Sequence, residues 1–124
     1  MYNQKIKEII AEVLSLEAVS IVKDDSNIVN DLGAESIDFI DMCFKLEQEL
    51  ELPKVNVNDI FPVMYMEENI FNTGGEIRES VAKDLQENYP HIDNKIITMV
   101  SETHDRAKLY TVKIIERYVE YRKH

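Results

Sequence analysis

The chain has 124 residues, 44% hydrophobic and 31% charged, with only three Gly and three Pro. That length fits one domain with a core of useful size, and the composition excludes disorder and argues against a many-turned β fold. The formal net charge is −10, and 12 of the acids fall in residues 1–52 against four Lys; such a surface repels nucleic acid and attracts basic partners.

The first element is an amphipathic helix over 3–16. Ile6, Ile9, Ile10, Val13 and Leu14 recur at the helical period, Lys5, Lys7, Glu8 and Glu12 face out, and Asn3 is placed to cap the N-terminus. A connection over 17–35 follows, with a turn at Asp24-Asp25-Ser26-Asn27 and with Ile28 and Leu32 as anchors into the core. A second helix over 36–51 starts at Ser36 and stops at Pro53. Phe39, Met42, Cys43, Leu46 and Leu50 form its buried face. Ile37, Ile40 and Phe44 make a second apolar stripe, displaced by roughly 130° on a helical wheel. That stripe is either packed under other chain or open as a docking strip edged by carboxylates. Asp38 sits in the first turn, where it complements the helix dipole.

Residues 54–104 are less regular. Val55, Val57, Ile60 and Phe61 cluster ahead of Pro62, and Val63-Met64-Tyr65-Met66 is a short apolar run of ambiguous type. Thr73-Gly74-Gly75 reads as a turn. Ile77, Val81 and Leu85 mark a helix over 76–88, and Asp93 caps a short helix carrying Ile96, Ile97 and Val100. The final helix spans 107–122, with Val112, Ile115, Tyr118 and Val119 inward and Arg117, Arg122 and Lys123 suited to its C-terminal dipole. Met64, Tyr65, Met66 and Phe71 are core fillers, with contact to a lipidic ligand as the competing reading.

Several chemistries are tested and set aside. Residues 24–35 begin with Asp and end with Glu like a calcium loop, but Val29 stands where Gly is required and Ile28 where a ligand is needed. His91, His104 and His124 lack metal spacing and are expected at the surface or in caps. Ser36 is outside any GxSxG elbow, and Gly74-Gly75 is not followed by a phosphate-loop lysine. Cys43 is the one cysteine and reads as a buried thiol. The N-terminus shows no signal-peptide core and no run is long enough to cross a bilayer, so a cytoplasmic protein is expected.

What stands out is Ser36, between a glycine-containing loop that allows flexible approach and a rigid, acid-decorated helix. Asp31-Leu32-Gly33-Ala34-Glu35-Ser36-Ile37-Asp38 resembles the attachment motif of acyl carrier proteins, and the likeness runs on through Phe39-Ile40-Asp41 to Glu49-Leu50-Glu51-Leu52-Pro53. The last helix is similar to that family's final helix. With Phe44 and the added chain, the sequence is similar to extended carriers of very long or hydroxylated acyl groups in bacterial lipid A synthesis.

The resemblance implies an all-α four-helix bundle in a single domain over 1–124. Residues 1–53 and 105–124 would form the carrier core, and 54–104 an insertion with one or two extra short helices. It implies a carrier and not an enzyme. A phosphopantetheinyl transferase would attach 4′-phosphopantetheine from coenzyme A to Ser36, and the arm would hold acyl groups as thioesters. Glu35, Ile37, Asp38, Ile40, Asp41, Phe44 and Glu47 would meet basic docking patches on acyl-transferring and acyl-modifying enzymes of fatty-acid or lipid synthesis. Phe39, Cys43, Leu46 and Leu50 would line an acyl pocket, which the insertion would deepen unless it served as a lid over the stripe or as a docking surface. The chain is expected to be a monomer. Two other readings remain open at this point: a carrier of polyketide or aminoacyl intermediates, and an acidic adaptor that is never loaded.

Overall fold

A computed structural model describes residues 2–123. His124 lies outside the described residues. Among them the regular structure is helical: α1 (Asn3–Val13), α2 (Ser36–Glu49), α3 (Val57–Ile60), α4 (Glu79–Asn88), α5 (Asn94–Thr103) and α6 (Val112–Lys123), with 3₁₀ turns at Val19–Ile21, Val63–Met66 and Arg106–Tyr110. Two isolated antiparallel bridges, Asn27 to Thr111 and Phe71 to Ile77, are the β contacts present.

The architecture is the all-helical bundle expected. α1 packs on α2 and α6, and α3 touches both α2 and α6, which closes a four-membered ring. α4 and α5 are added between α3 and α6. Ile6, Ile9 and Ile10 of α1, Leu46 of α2, Phe61 after α3, Leu85 of α4, Val100 of α5 and Ile115 of α6 all belong to one buried cluster. Burying a side chain such as Leu46 or Phe61 is worth roughly 1.5–3 kcal/mol. Residues 54–104 therefore fill the core as well as extending it. Ile114, not anticipated as inward, is buried too.

The helix ends differ from expectation for local reasons. α1 stops at Val13, because Leu14 closes it and Ser15 takes a left-handed φ of 54°. Its N-cap residue is Tyr2, without a side-chain bond. Asn3 is used elsewhere, donating to Asp24 at 2.9 Å and to Glu116. α4 begins at Glu79, because Ile77 is taken by the bridge to Phe71. The last helix is split. Thr111 is extended, with φ −97° and ψ 166°, and pairs with Asn27, so Arg106–Tyr110 is a separate 3₁₀ turn. Asp93 caps α5 as expected, accepting from the Ile96 N–H at 3.0 Å.

Two positively charged residues act as clamps. Arg106 donates to the carbonyls of Tyr65 (2.7 Å), Met66 (3.0 Å) and Glu68 (2.6 Å), which fixes the 63–68 segment. Arg122 does the same for Lys54 at 3.1 Å. His91 is not a surface residue. It is buried, its Nε2 donates to the Ile60 carbonyl at 2.7 Å, and its ring meets Tyr118 edge-on at 5.1 Å. His104 does occupy a cap, with φ 55° at the end of α5. Of the apolar run, Tyr65 is buried, Met66 and Phe71 are half-buried and Met64 is exposed, which places most of it in core packing.

Candidate functional site

The loop ahead of Ser36 is wound tightly, not loosely hung. Its hub is Asn27, which is buried. The Asn27 Oδ1 accepts from the N–H groups of Val29 (2.9 Å) and Asn30 (2.7 Å), and its amide nitrogen donates to the Ala107 carbonyl at 2.8 Å. The Asn27 N–H donates to the Asp31 carboxylate at 2.7 Å. Backbone bonds then run from Asp31 and Leu32 to the Asn27 carbonyl, from Gly33 to Val29 and from Ala34 to Ile28. Ile28 in turn donates to Tyr110, and Val112 to Ser26, so the loop is stitched to the start of α6. Asn27 was missed as more than a turn residue, because Asp-Asp-Ser-Asn reads as a solvated turn. Its role depends on a partner 80 positions away.

Gly33 has a φ of 76°, and a Cβ there would meet nothing within 4 Å. Glycine is favoured by that conformation, and the space beside it is open. Three residues later the chain enters α2. The Glu35 N–H donates to the Asp38 carboxylate at 2.8 Å, which holds the first turn. Ser36 is the first residue of α2 and is exposed. Its hydroxyl has no hydrogen-bond partner among the described residues, so Oγ is presented to whatever approaches.

From Ser36 one face of α2 is acid and oil. Ile37, Ile40 and Phe44 are 65%, 67% and 59% exposed, so the added chain does not cover the stripe. Glu35 and Asp41 are exposed, and Asp38 and Glu47 half-buried, around it. Beside this face, between α2 and the start of α3, runs a groove of about 520 Å³. Its walls include Ile40, Cys43, Phe44, Glu47, Val55 and Val57. Of the four residues expected around an acyl pocket, only Cys43 borders this groove. Burial pushes its thiol up to about 11. Phe39 is half-buried and meets Phe61 edge-on at 5.9 Å, while Leu46 and Leu50 are packed into the core. The contribution of Val55 and Val57 was legible only as apolar clustering. The chain reverses towards them at the left-handed Glu51, with φ 53°, just after α2.

No group of three or more His, Cys, Asp or Glu able to hold a metal forms among the described residues. No helix there is long and apolar enough to cross a membrane.

The candidate site is thus a serine displayed at the head of an acid-lined helix, on a loop braced from behind. Residues 4–62 match the family model described as "Phosphopantetheine attachment site". The chain is similar to an acyl carrier protein of Clostridium acetobutylicum, 38% identical over 52 residues, which are 42% of this chain and 66% of that relative. The match thus spans just under two thirds of the relative's length. No solved structure matches the chain significantly. From α1 to α3 the chain is thus similar to the phosphopantetheine-attachment domains of acyl carrier proteins. The matched span includes α3, so the likeness runs past Pro53.

The site suits phosphopantetheine. Ser36 Oγ is free, the Gly33 side is open, and the start of a 14-residue helix favours a phosphodiester anion. Asp38 would oppose that anion, but its carboxylate is engaged by the Glu35 N–H.

Proposed function

We propose that the protein is an acyl carrier loaded on Ser36. The observation that carries this is the exposed, unpartnered Ser36 hydroxyl at the start of α2, inside the span that matches the phosphopantetheine-attachment family. A phosphopantetheinyl transferase docks on α2. Ser36 Oγ bonds to the phosphorus of the phosphopantetheine moiety as the pyrophosphate of coenzyme A breaks and 3′,5′-adenosine bisphosphate leaves. The Ser36 proton passes to the transferase or to solvent. The attached arm supplies a terminal thiol that carries acyl groups as thioesters.

The chain's own residues do three things. Gly33 and the braced 27–34 loop hold Ser36 open to the transferase. Glu35, Asp38, Asp41 and Glu47 attract basic patches, while Ile37, Ile40 and Phe44 give apolar grip. That combination produces fast, weak and salt-sensitive docking, which suits a carrier that must leave each enzyme. The groove beside Cys43 offers apolar cargo a wall, with Val55 and Val57 also lining it. Carriage of fatty-acyl or other lipid intermediates, and of the long chains suggested by likeness to lipid A carriers, is the cargo we propose. The bundle and insertion act together as one carrier domain.

Intact-mass spectrometry tests this. Incubation with coenzyme A and a broad-specificity transferase should add one phosphopantetheine to the wild type and none to Ser36→Ala. An unmodified wild type with several transferases would leave an acidic adaptor as the better reading. Mass analysis of protein from its own host would then name the cargo class.

A further inference from the structure

We propose that the cleft between the start of α5, the 106–110 turn and α6 is a second docking site, basic where α2 is acidic. Its occupant is an acidic helix of a partner protein that inserts one large apolar side chain. The cleft holds about 190 Å³, with Ile96 and Met99 on its apolar wall and Lys95, Lys108, Lys113 and Arg117 around it. Met99 is 40% exposed. In a chain of net charge −10, four cations at one cleft are a local reversal.

Lys113 acts on the nearby Asp24 carboxylate through its charge, but none of the four is held in a direct ion pair: those among the described residues involve Lys5, Lys7 and Lys45. Arg117 is half-buried, yet its guanidinium makes no hydrogen bond within the described residues, unlike Arg106 and Arg122. Of the three carboxylates at the cleft, Asp24 is held by Lys7 and Asn3, both at 2.9 Å, and Asp93 caps α5. Asp25 and the still-charged Asp93 oppose an incoming anion, and the four cations outnumber the three carboxylates by one.

The placement of two lysines is locally unfavourable. Lys95 and Lys113 are the second residues of α5 and α6. A cation in the first turn opposes the helix dipole and forgoes the gain that an acid there would bring. Departures from local preference without a folding benefit tend to mark functional surface. The size selects the occupant. Small-molecule sites run to about 300–1,000 Å³, so this cleft is too small for most free ligands but suits a single anchoring side chain ringed by charge. α5 lies beyond the span that matches the attachment family. The cleft lining includes no residue of α2, so the test is run on the protein with and without the phosphopantetheine arm.

The test uses the full-length ¹⁵N-labelled protein and a synthetic helix-forming peptide rich in Glu with one central Phe. Amide shifts should concentrate at residues 95–99 and around Lys108, Lys113 and Arg117, and affinity should fall with salt. Lys95→Glu and Lys113→Glu together should weaken binding by about tenfold or more. Both sites are exposed and glutamate suits a helix N-terminus, but Lys113 lies within reach of Asp24, so a thermal melt of the double variant, expected to match the wild type within a few degrees, separates lost binding from lost folding. A peptide with Ala for Phe should bind far more weakly. Shifts elsewhere, indifference to the charge reversals, or equal binding of the Ala peptide would overturn the proposal. Two further results would also overturn the partner-protein form: decanoate binding the same residues more tightly than the peptide, or protein alone self-associating through them in sedimentation.

Discussion

The side-chain amide of Asn27 donates to the Ala107 carbonyl at 2.8 Å, joining the loop that leads into Ser36 to the turn that leads into α6. The same side chain accepts two loop N–H groups. Asn27→Ala removes three bonds from a buried site. With a net value near 1 kcal/mol for each bond, and more where a buried N–H is left unpaired, stability should fall by about 2–4 kcal/mol in urea unfolding. Asn27→Asp keeps an acceptor for both loop N–H groups but sets a buried carboxylate oxygen against the Ala107 carbonyl and beside Asp31, so at neutral pH it should cost at least as much as Asn27→Ala. Hydrogen exchange at Val29 and Asn30 should rise sharply in both variants.

That hub shows where sequence reading reaches its limit here. The 1–53 stretch was legible because Ile6, Ile9, Ile10, Met42 and Leu46 repeat at the helical period, and period survives without knowledge of partners. Ser36 was legible because its neighbours form a contiguous motif. Asn27, His91 and Arg106 were not, because each acts on a backbone carbonyl 31 or more positions away, and such pairings leave no periodic trace. The break at Thr111 was hidden for the same reason: its local sequence is helix-compatible, and its bridge to Asn27 overrides that preference. The exposure of Ile37, Ile40 and Phe44 was an even choice in the sequence. It was decided by residues 54–104, which border the stripe at Val55 and Val57 but leave it uncovered.

His91 should make stability pH-dependent. Burial lowers its affinity for protons below the ordinary 6.5, against weaker opposition from the Ile60 carbonyl and Asp59. As pH falls through 6.5, the unfolded chain takes up a proton while the folded chain does not. Stability is therefore full above about pH 7 and declines as pH drops from 6.5 towards the folded value. His91→Gln, which keeps a donor for Ile60, should be less stable at pH 8 by about 1 kcal/mol and flatter between pH 7 and 5. Paired urea titrations across that range check the sign; equal slopes would show that His91 is not the titrating group.

The α2 stripe should separate stability from recognition. Ile37, Ile40 and Phe44 are already well exposed, so serine at any of them should change unfolding free energy by no more than about 0.5 kcal/mol. Each should nevertheless raise the KM of a phosphopantetheinyl transferase several-fold. Asp41→Lys should do so too, with a weaker dependence of KM on salt than the wild type. Steady-state loading assays at two ionic strengths, beside thermal melts, distinguish docking from folding.

Gly33 and Gly75 both take left-handed conformations, at φ 76° and 85°, but the space around them differs. An alanine Cβ at Gly33 meets nothing, whereas at Gly75 it runs into the His104 ring, itself stacked near Phe71 with ring centres 6.1 Å apart. Gly33→Ala therefore carries only the backbone cost of about 1–2 kcal/mol. Gly75→Ala adds overpacking of about 1–3 kcal/mol unless His104 swings away. Function should follow the opposite order. Gly33→Ala places a methyl group beside the path to Ser36 and should slow transfer of phosphopantetheine, while Gly75→Ala, in the 72–77 turn, should load at the wild-type rate wherever it is folded. Adding His104→Ala to Gly75→Ala should recover the packing part of the loss, and a double variant no more stable than the single would show that the ring is not the obstacle.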